Sequence, residues 1–243
     1  MNNIETKISN DETIIYFVRH GQTDDNKSRN WGSPDSTPLN DDGIWEALQV
    51  GDELAGIEFD MVIFSLTKRT HQTAYYVLLG KINRPKIIID TALREMFLGS
   101  LPNLTPEGIV KSYGDVTKYP SEESKLQCPK IWKKRRGIPL SADDANDCYL
   151  DKWCDAETFQ QSKRRTNHFL VEIAANYPGK KILVVGHSTG LKGAMRKAYR
   201  HPGTGKKLPF SAYKPETSSW VQLQVSQHTF KYIYSRRIRI STL

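Results

Sequence analysis

The residues best suited to chemistry are two histidines that each follow a short apolar run. Residues 13–18 (TIIYFV) lead directly into Arg19 and His20. Residues 181–185 (KILVV) lead in the same way into a glycine and His187. Ligands in open α/β sheets bind outside the carboxyl ends of the strands. If both runs are strands, we expect both imidazoles to lie where a reacting group is bound.

Two arginines are expected at the same place. Arg19 directly precedes His20, and Arg69 follows a third apolar run that ends at Ser65. Arg69 would lie in the first turn of the next helix, whose positive end also points toward the crevice. Two guanidiniums and two imidazoles repel one another unless an anion lies between them. A phosphoryl group suits this cluster, because the planar guanidinium matches two phosphate oxygens at once.

The elements that must position these residues alternate between strands and helices. Short apolar runs predict strands, at 13–18, 60–65, 86–90, 181–185, 220–225 and 229–234. Capping residues and apolar spacing predict three helices, one capped by Asp41 or Asp42, one starting at Thr67 and one over 157–177. This alternation predicts a doubly wound α/β fold, a three-layer α/β/α sandwich.

Length and composition favour a single domain over residues 1–243. The chain has 243 residues, of which 38% are hydrophobic, enough for one α/β core that also carries an insertion. Residues 99–155 show little periodicity and contain five prolines and the basic run 133–136. We interpret 99–155 as an insertion or cap over the active site. The basic run fits a solvated face, and a role in binding polyanions stays open.

Charge and cysteine usage limit the partners and the compartment. Lys and Arg number 35 against 27 for Asp and Glu, a net charge of +8 that favours an anionic partner. Charge alone leaves a phosphate ester, nucleic acid and an acidic membrane open. The three cysteines lack metal-type pairing and fit a reducing compartment. No apolar run approaches the ~20 residues of a membrane span, so we expect a cytoplasmic protein with no membrane partner. No pattern indicates an oligomeric state.

Five blocks of sequence, in order along the chain, carry a family resemblance. They are Arg19-His20-Gly21-Gln22-Thr23 with Asn26, Pro38-Leu39 with Gly43 and Ala47, Ser65-Leu66-Thr67-Lys68-Arg69-Thr70 with Gln72-Thr73-Ala74, Leu93-Arg94-Glu95 with Gly99, and Gly186-His187-Ser188. In these blocks the chain resembles the histidine phosphatase superfamily, which includes the cofactor-dependent phosphoglycerate mutases. The resemblance implies a phosphoglycerate mutase-like form of the α/β/α sandwich.

The resemblance also implies a role for each residue of the site. His20 would attack phosphorus and form a phosphohistidine, and Glu95 would protonate the leaving oxygen and then activate water. The groups that would hold the phosphoryl oxygens are Arg19, Arg69 and His187. Further substrate contacts would come from Thr23, Asn26 and Ser188. The implied substrate is a small anionic phosphate ester, with no cofactor, no metal and no nucleic-acid partner expected.

A serine hydrolase is the rival enzyme class. Residues 186–190 (GHSTG) also match the Gly-x-Ser-x-Gly motif that presents a nucleophilic serine after a strand. Ser188 would then need Glu216 as its acid and His201 or His228 as its base, because no Asp follows it. That interpretation leaves Arg19 without a role, and we do not favour it.

Two further alternatives stay within the family. After Glu95 the chain lacks the aromatic-glycine pattern of mutases, so we expect hydrolysis rather than phosphoryl return, with a phosphoglycerate mutase-type transferase as the alternative. An inactive phosphate-binding module is the other, and it is disfavoured because all five catalytic positions are filled. Residues 156–158 (AET) replace the Gly-Glu-Ser of many relatives. Arg164, seven residues beyond Glu157, is expected to keep the usual pattern of the helix that follows.

Overall fold

A computed structural model describes residues 12–30, 33–97, 157, 159–209, 212–227 and 229–241. The predicted insertion 99–155, with the basic run 133–136 and all three cysteines, lies outside the described residues, as does His228. Among the described residues, no helix is both long enough and apolar enough to cross a bilayer.

The described chain forms one mixed six-stranded sheet in the order β3-β2-β4-β1-β5-β6. Its strands are β1 (Thr13–Arg19), β2 (Met61–Phe64), β3 (Lys86–Ile89), β4 (Lys181–Gly186), β5 (Tyr213–Val225) and β6 (Phe230–Ile240). The first four strands in this order are parallel, whereas β5 runs antiparallel to β1 and β6 antiparallel to β5. The central strands read as continuous apolar runs because helices cover both of their faces.

Helices on the two faces of the sheet complete three layers. The helices are α1 (Asp24–Lys27), α2 (Asp41–Glu53), α3 (Lys68–Leu78), α4 (Phe159–Asn176) and α5 (Ser188–Ala198), with a 3₁₀ helix at Thr91–Leu93. Alternate residues of β1 point to opposite faces: Phe17 packs in the core under α4 and α5, and Tyr16 packs in the core under α2 and α3. The predicted α/β/α sandwich is confirmed.

Two of the predicted helix starts need correction. Asn40 caps α2 by accepting a hydrogen bond from Gly43 N at 2.9 Å, so the expectation of Asp41 or Asp42 as the cap is wrong. Both aspartates lie instead in the first turn, where negative charge is also favourable. Helix α4 begins at Phe159 rather than at residue 157. Thr67 does precede the first residue of α3, as predicted.

The last two strands are longer than the sequence indicated. Strand β5 begins at Tyr213, and its pairing with β6 is irregular between Pro215 and Trp220. Proline and a break in alternation hide this half of the strand from a pattern search. Strand β6 continues to Ile240 through residues 236–239 (RRIR), whose basic side chains obscured it. Arg236 pairs there with Glu53 at 2.7 Å.

Two glycines allow the chain after β1 to pass close to the start of α2. A side chain on Gly43 would collide with the backbone N and O of Gln22, and one on Gly21 would collide with the backbone of Gly43. The contact is backbone against backbone, so neither partner can move aside. It fixes the turn that directly follows His20.

We predict that Gly43→Ala lowers the free energy of unfolding by roughly 1–3 kcal/mol, the usual cost of overpacking a close contact. Gly56→Ala is the matched control, because a β-carbon at Gly56 meets nothing within 4 Å. Urea unfolding of both variants and the wild type measures the difference. Equal losses in the two variants would contradict the close-approach argument.

Candidate active site

The parallel pairing of β1 with β4 brings the two predicted histidines together. Arg19 lies opposite Gly186 in the register, and His20 N donates to Gly186 O at 3.0 Å. The rings of His20 and His187 are both buried, with centroids 5.2 Å apart and planes at 66°. The two strand ends therefore form one site, as their positions in the sequence predicted.

One ring nitrogen of His20 is held by the backbone. His20 Nδ1 lies 2.7 Å from Gly21 O, and a carbonyl oxygen only accepts, so Nδ1 carries the proton of the neutral ring. The other nitrogen, Nε2, then keeps its lone pair. Thr73 Oγ1 accepts from Gly21 N at 3.0 Å and donates to Arg69 O at 2.7 Å, which ties the His20 turn to α3. This tautomer is the one that a nucleophilic Nε2 requires.

The His187 ring is oriented by a cluster of hydroxyl groups. Its Nε2 lies 2.8 Å from Ser65 Oγ, which is in turn 3.2 Å from Thr70 Oγ1. Thr70 Oγ1 donates to the Ser65 carbonyl at 2.7 Å. The Ser65 hydroxyl donates to His187 Nε2 or accepts from it, depending on the tautomer of the ring, and in the tautomer in which Ser65 donates, Nδ1 of His187 bears the proton. This atom is buried and has no partner among the described residues, so it is a donor suited to an anion.

Both arginines are anchored by carbonyl groups rather than by carboxylates. Arg19 Nη1 donates to Pro215 O at 2.9 Å, and Arg69 Nη1 donates to Pro34 O at 2.8 Å. Arg19 Nε is buried without a partner in the described part of the chain. A neutral anchor fixes a guanidinium without cancelling its charge. The site therefore keeps a positive potential that favours an anionic group.

The irregular stretch of β5 supports this anchoring, and no sequence pattern indicates it. It supplies the Pro215 carbonyl, and Ser218 N donates to His20 O at 3.2 Å. Ser218 has a φ of 52°, a left-handed conformation that serine seldom adopts, and it is fully buried. Strain of this kind often accompanies functional sites.

Burial lowers the pKa of both histidines well below 6.5, and the neighbouring charges lower it further. For His20 these neighbours are Arg19 and Arg69. For His187 they are His20 first, then Arg69 and Arg19, and last Arg165. Both rings are therefore neutral at physiological pH. A neutral His20 is the form that can act as a nucleophile.

Glu95 lies within electrostatic reach of the two arginines. Burial lowers the pKa of Arg19 and of Arg69, and in both cases the Glu95 carboxylate is the largest opposing influence. Glu95 follows the 3₁₀ helix and is partly exposed, and its Oε1 accepts from Met96 N at 2.8 Å. The structure thus brings all five predicted catalytic residues to one region.

Two residues near the site were missed. Lys192 of α5 is partly buried, and burial and then Arg19 lower its pKa, whereas Glu95 raises it. Arg165 of α4 contacts Glu157, whereas Arg164, which the sequence analysis named for the usual pattern of this helix, is exposed. A lysine and an arginine within helices carry no distinguishing sequence signal.

The three predicted outer contacts lie near the turn after β1 and at the start of α5. Thr23 and Asn26 cap α1: Thr23 Oγ1 accepts from Asn26 N at 3.2 Å, and Asn26 Oδ1 accepts from Thr23 N at 3.3 Å. Ser188 is the first residue of α5 and is partly exposed. A direct contact of these three residues with a substrate stays a prediction.

The serine hydrolase alternative gains no support from the described residues. The Glu216 carboxylate pairs with Arg239 at 3.2 Å, and His201 Nδ1 accepts from Gly203 N at 3.2 Å. No hydrogen bond links Ser188 to either residue in the described part of the chain. Within the same residues, no group of three or more His, Cys, Asp or Glu could hold a metal ion.

Comparison with known proteins agrees with this geometry. The family model described as "Histidine phosphatase superfamily (branch 1)" matches residues 15–232. The chain is 23% identical over 237 residues to the adenosylcobalamin/alpha-ribazole phosphatase of Escherichia coli, covering 93% of this chain and 98% of that protein. It is 27% identical over 187 residues to a 2,3-bisphosphoglycerate-dependent phosphoglycerate mutase of Rhizobium johnstonii, covering 73% and 75%. The phosphoglycerate mutase structure from Bacillus anthracis has the same fold, with a TM-score of 0.65, 20% identity and coverage of 91% and 92%.

The lowered histidine pKa values predict how stability depends on pH. Below pH 6.5 the unfolded chain binds protons at these histidines and the folded chain does not, so the free energy of unfolding falls on acidification. The slope is up to about 1.4 kcal/mol per pH unit for each histidine. We expect a shallower slope for His20→Ala in urea unfolding measured at a series of pH values. Identical slopes would contradict the buried, neutral state of His20.

Proposed function

The chain belongs to the histidine phosphatase superfamily, and on that premise we propose that it is a metal-independent phosphatase that hydrolyses a phosphate monoester through a phosphohistidine on His20. The observation that carries the proposal is the Nδ1 contact of His20 with Gly21 O at 2.7 Å, at a ring whose pKa is lowered by two arginines that have neutral anchors. This contact directs the lone pair of Nε2 to a nucleophilic role. The cations beside it supply the charge stabilisation that a metal provides in other phosphatases.

In the first step His20 Nε2 attacks phosphorus, and the bond from phosphorus to the leaving oxygen breaks as the N–P bond forms. Arg19, Arg69 and His187 Nδ1 donate to the equatorial oxygens, on which the charge of the transition state is spread. The Gly21 carbonyl stabilises the positive charge that develops on the ring. Glu95 in its protonated form gives its proton to the leaving oxygen.

In the second step Glu95, now a carboxylate, takes a proton from water. The resulting hydroxide attacks phosphorus, the N–P bond breaks, and phosphate leaves with His20 again neutral. Splitting one displacement into two steps is the advantage of covalent catalysis. Glu95 returns to its protonated form, so the cycle closes without a further reagent.

The proposed substrate is a small anionic phosphate ester. Positive charge outside the reaction centre favours such molecules, because a second anionic group can bind there. Thr23, Asn26 and Ser188 are proposed to contact the part of the substrate beyond the phosphate. A cytoplasmic location fits this assignment and also stays a proposal, as does the single domain 1–243 with an insertion at 99–155.

A mutase is the second candidate, since one relative at 27% identity is named a phosphoglycerate mutase. The two activities differ in what accepts the phosphoryl group from His20. Water accepts it in a phosphatase, and a second hydroxyl of the substrate accepts it in a mutase. Assaying 2-phosphoglycerate formation from 3-phosphoglycerate, with a bisphosphoglycerate primer, beside phosphate release distinguishes them.

We predict that His20→Ala abolishes phosphate release from an aryl phosphate in the presence of a metal chelator. His168→Ala is the matched control, because His168 is exposed on α4 and pairs with Glu172 at 3.4 Å. Wild type and control should retain activity. On rapid quenching, wild type should form an acid-labile phosphoprotein, and His20→Ala should form none. Near-wild-type turnover by His20→Ala would contradict the phosphohistidine mechanism.

A second prediction concerns the leaving group. Glu95→Gln removes the proton donor, so alkyl phosphates, which have poor leaving groups, should lose roughly 10²-fold or more in kcat. Aryl phosphates need less proton assistance and should lose much less. Equal losses on p-nitrophenyl phosphate and on an alkyl phosphate would exclude Glu95 as the acid.

A further inference from the structure

Arg165 of α4 uses all of its hydrogen-bond donors within the protein. Nε and Nη2 donate to the two carboxylate oxygens of Glu157 at 2.9 and 2.8 Å. Nη1 donates to Ala92 O at 2.6 Å and to Arg94 O at 3.1 Å, and Nη2 also contacts Ser162 Oγ at 3.3 Å. A guanidinium has five N–H groups, and these contacts account for all five. Arg165 therefore has no donor left for a substrate.

Arg165 and Glu157 hold opposite ends of residues 94–97, the short segment that contains Glu95. The backbone N of Glu157 donates to Phe97 O at 2.7 Å, and its Oε2 accepts from Phe97 N at 3.2 Å. Its side chain is 9% exposed, and that of Arg165 is 18% exposed, so water screens their pairing weakly. Arg94 reaches the same carboxylate at 3.3 Å from a more exposed position.

Along the chain, Glu95 lies between the two backbone groups that Arg165 and Glu157 bind. Arg165 binds the carbonyl of the residue before Glu95, and Glu157 binds the amide two residues after it. In contrast, among the described residues the Glu95 side chain makes one hydrogen bond, in which it accepts from its neighbour Met96 N at 2.8 Å. The direction in which the carboxyl group points is therefore set by the backbone that carries it.

We propose that Arg165 and Glu157 are positioning residues that hold Glu95 in line for proton transfer. The proposal rests on the proposed role of Glu95 as acid and base. A catalytic group displaced by about 1 Å can lose up to ~10² in rate. A bidentate arginine–carboxylate pair is well suited to prevent such displacement, because its two parallel bonds fix orientation as well as distance.

Arg165→Lys tests the proposal, since an ammonium keeps the charge but cannot form the bidentate pair. Arg164→Lys is the matched control, the same change at the adjacent, exposed position. We expect Arg165→Lys to lower kcat for an alkyl phosphate by about tenfold more than kcat for p-nitrophenyl phosphate, within the ~10² limit of misplacement. The control should leave the ratio of the two unchanged.

A double-mutant cycle separates positioning from a general structural effect. If Arg165 acts through Glu95, adding Arg165→Lys to Glu95→Gln should change the alkyl-to-aryl ratio by less than about twofold. Glu157→Gln should give the same pattern, which covers the case in which Arg165→Lys fails to fold. Equal losses on both substrates, or full additivity in the cycle, would overturn the proposal.

Amide hydrogen exchange gives a readout that needs no activity. Exchange at Phe97 and Glu157 should accelerate in Arg165→Lys and stay unchanged in Arg164→Lys. Unchanged exchange at both amides would overturn the proposal even in an inactive protein. Glu95→Gln could leave the alkyl-to-aryl ratio unchanged while exchange at Phe97 accelerates in Arg165→Lys. In that case the proposed role of Glu95 is wrong, and Arg165 and Glu157 still hold residues 94–97.

Discussion

The hydrogen bond from His20 N to Gly186 O, at the last rung of the β1–β4 ladder, is the constraint on which the site depends. It brings the two imidazoles together at the carboxyl ends of adjacent parallel strands. Each ring is then buried beside two arginines, an arrangement that costs free energy until an anion is present. The long apolar interfaces of β1 with α2 and α3 on one face, and with α4 and α5 on the other, provide the stability that offsets this cost.

The protein limits the repulsion by giving its cations neutral partners. Carbonyl groups from Pro34 and Pro215 anchor the guanidiniums, and the serine and threonine hydroxyls around His187 orient that ring without adding charge. A carboxylate in the same place would have cancelled the positive potential. Of the carboxylates that oppose the effect of burial on the pKa values of the two arginines, Glu95 has the largest influence on both. In the proposed mechanism Glu95 is also the group whose charge changes, because it gives up a proton in the first step and takes one back in the second.

Much of this arrangement could be predicted from the sequence, and the part that could not has a physical reason. His20, His187 and Arg69 each follow a short apolar strand, so local pattern and the geometry of parallel sheets suffice to place them. The Pro215 carbonyl and the left-handed Ser218 come from an irregular strand, which has no periodic signal. Arg165 was missed because adjacent helical side chains point about 100° apart, and tertiary contacts rather than spacing decide which of two adjacent arginines faces the interior.

The contact between Phe97 and Glu157 makes the packing of the site insensitive to the length of the chain between these two residues. Their backbone groups are joined at 2.7 Å, so the described residues before and after 98–156 meet at a single point. The entropy of closing a loop grows only with the logarithm of its length. Evolution can therefore lengthen, shorten or exchange the chain that starts after Phe97 with little effect on the stability of the rest. A junction of this kind uncouples the length of the chain between its two ends from the packing of the layer that holds the candidate site.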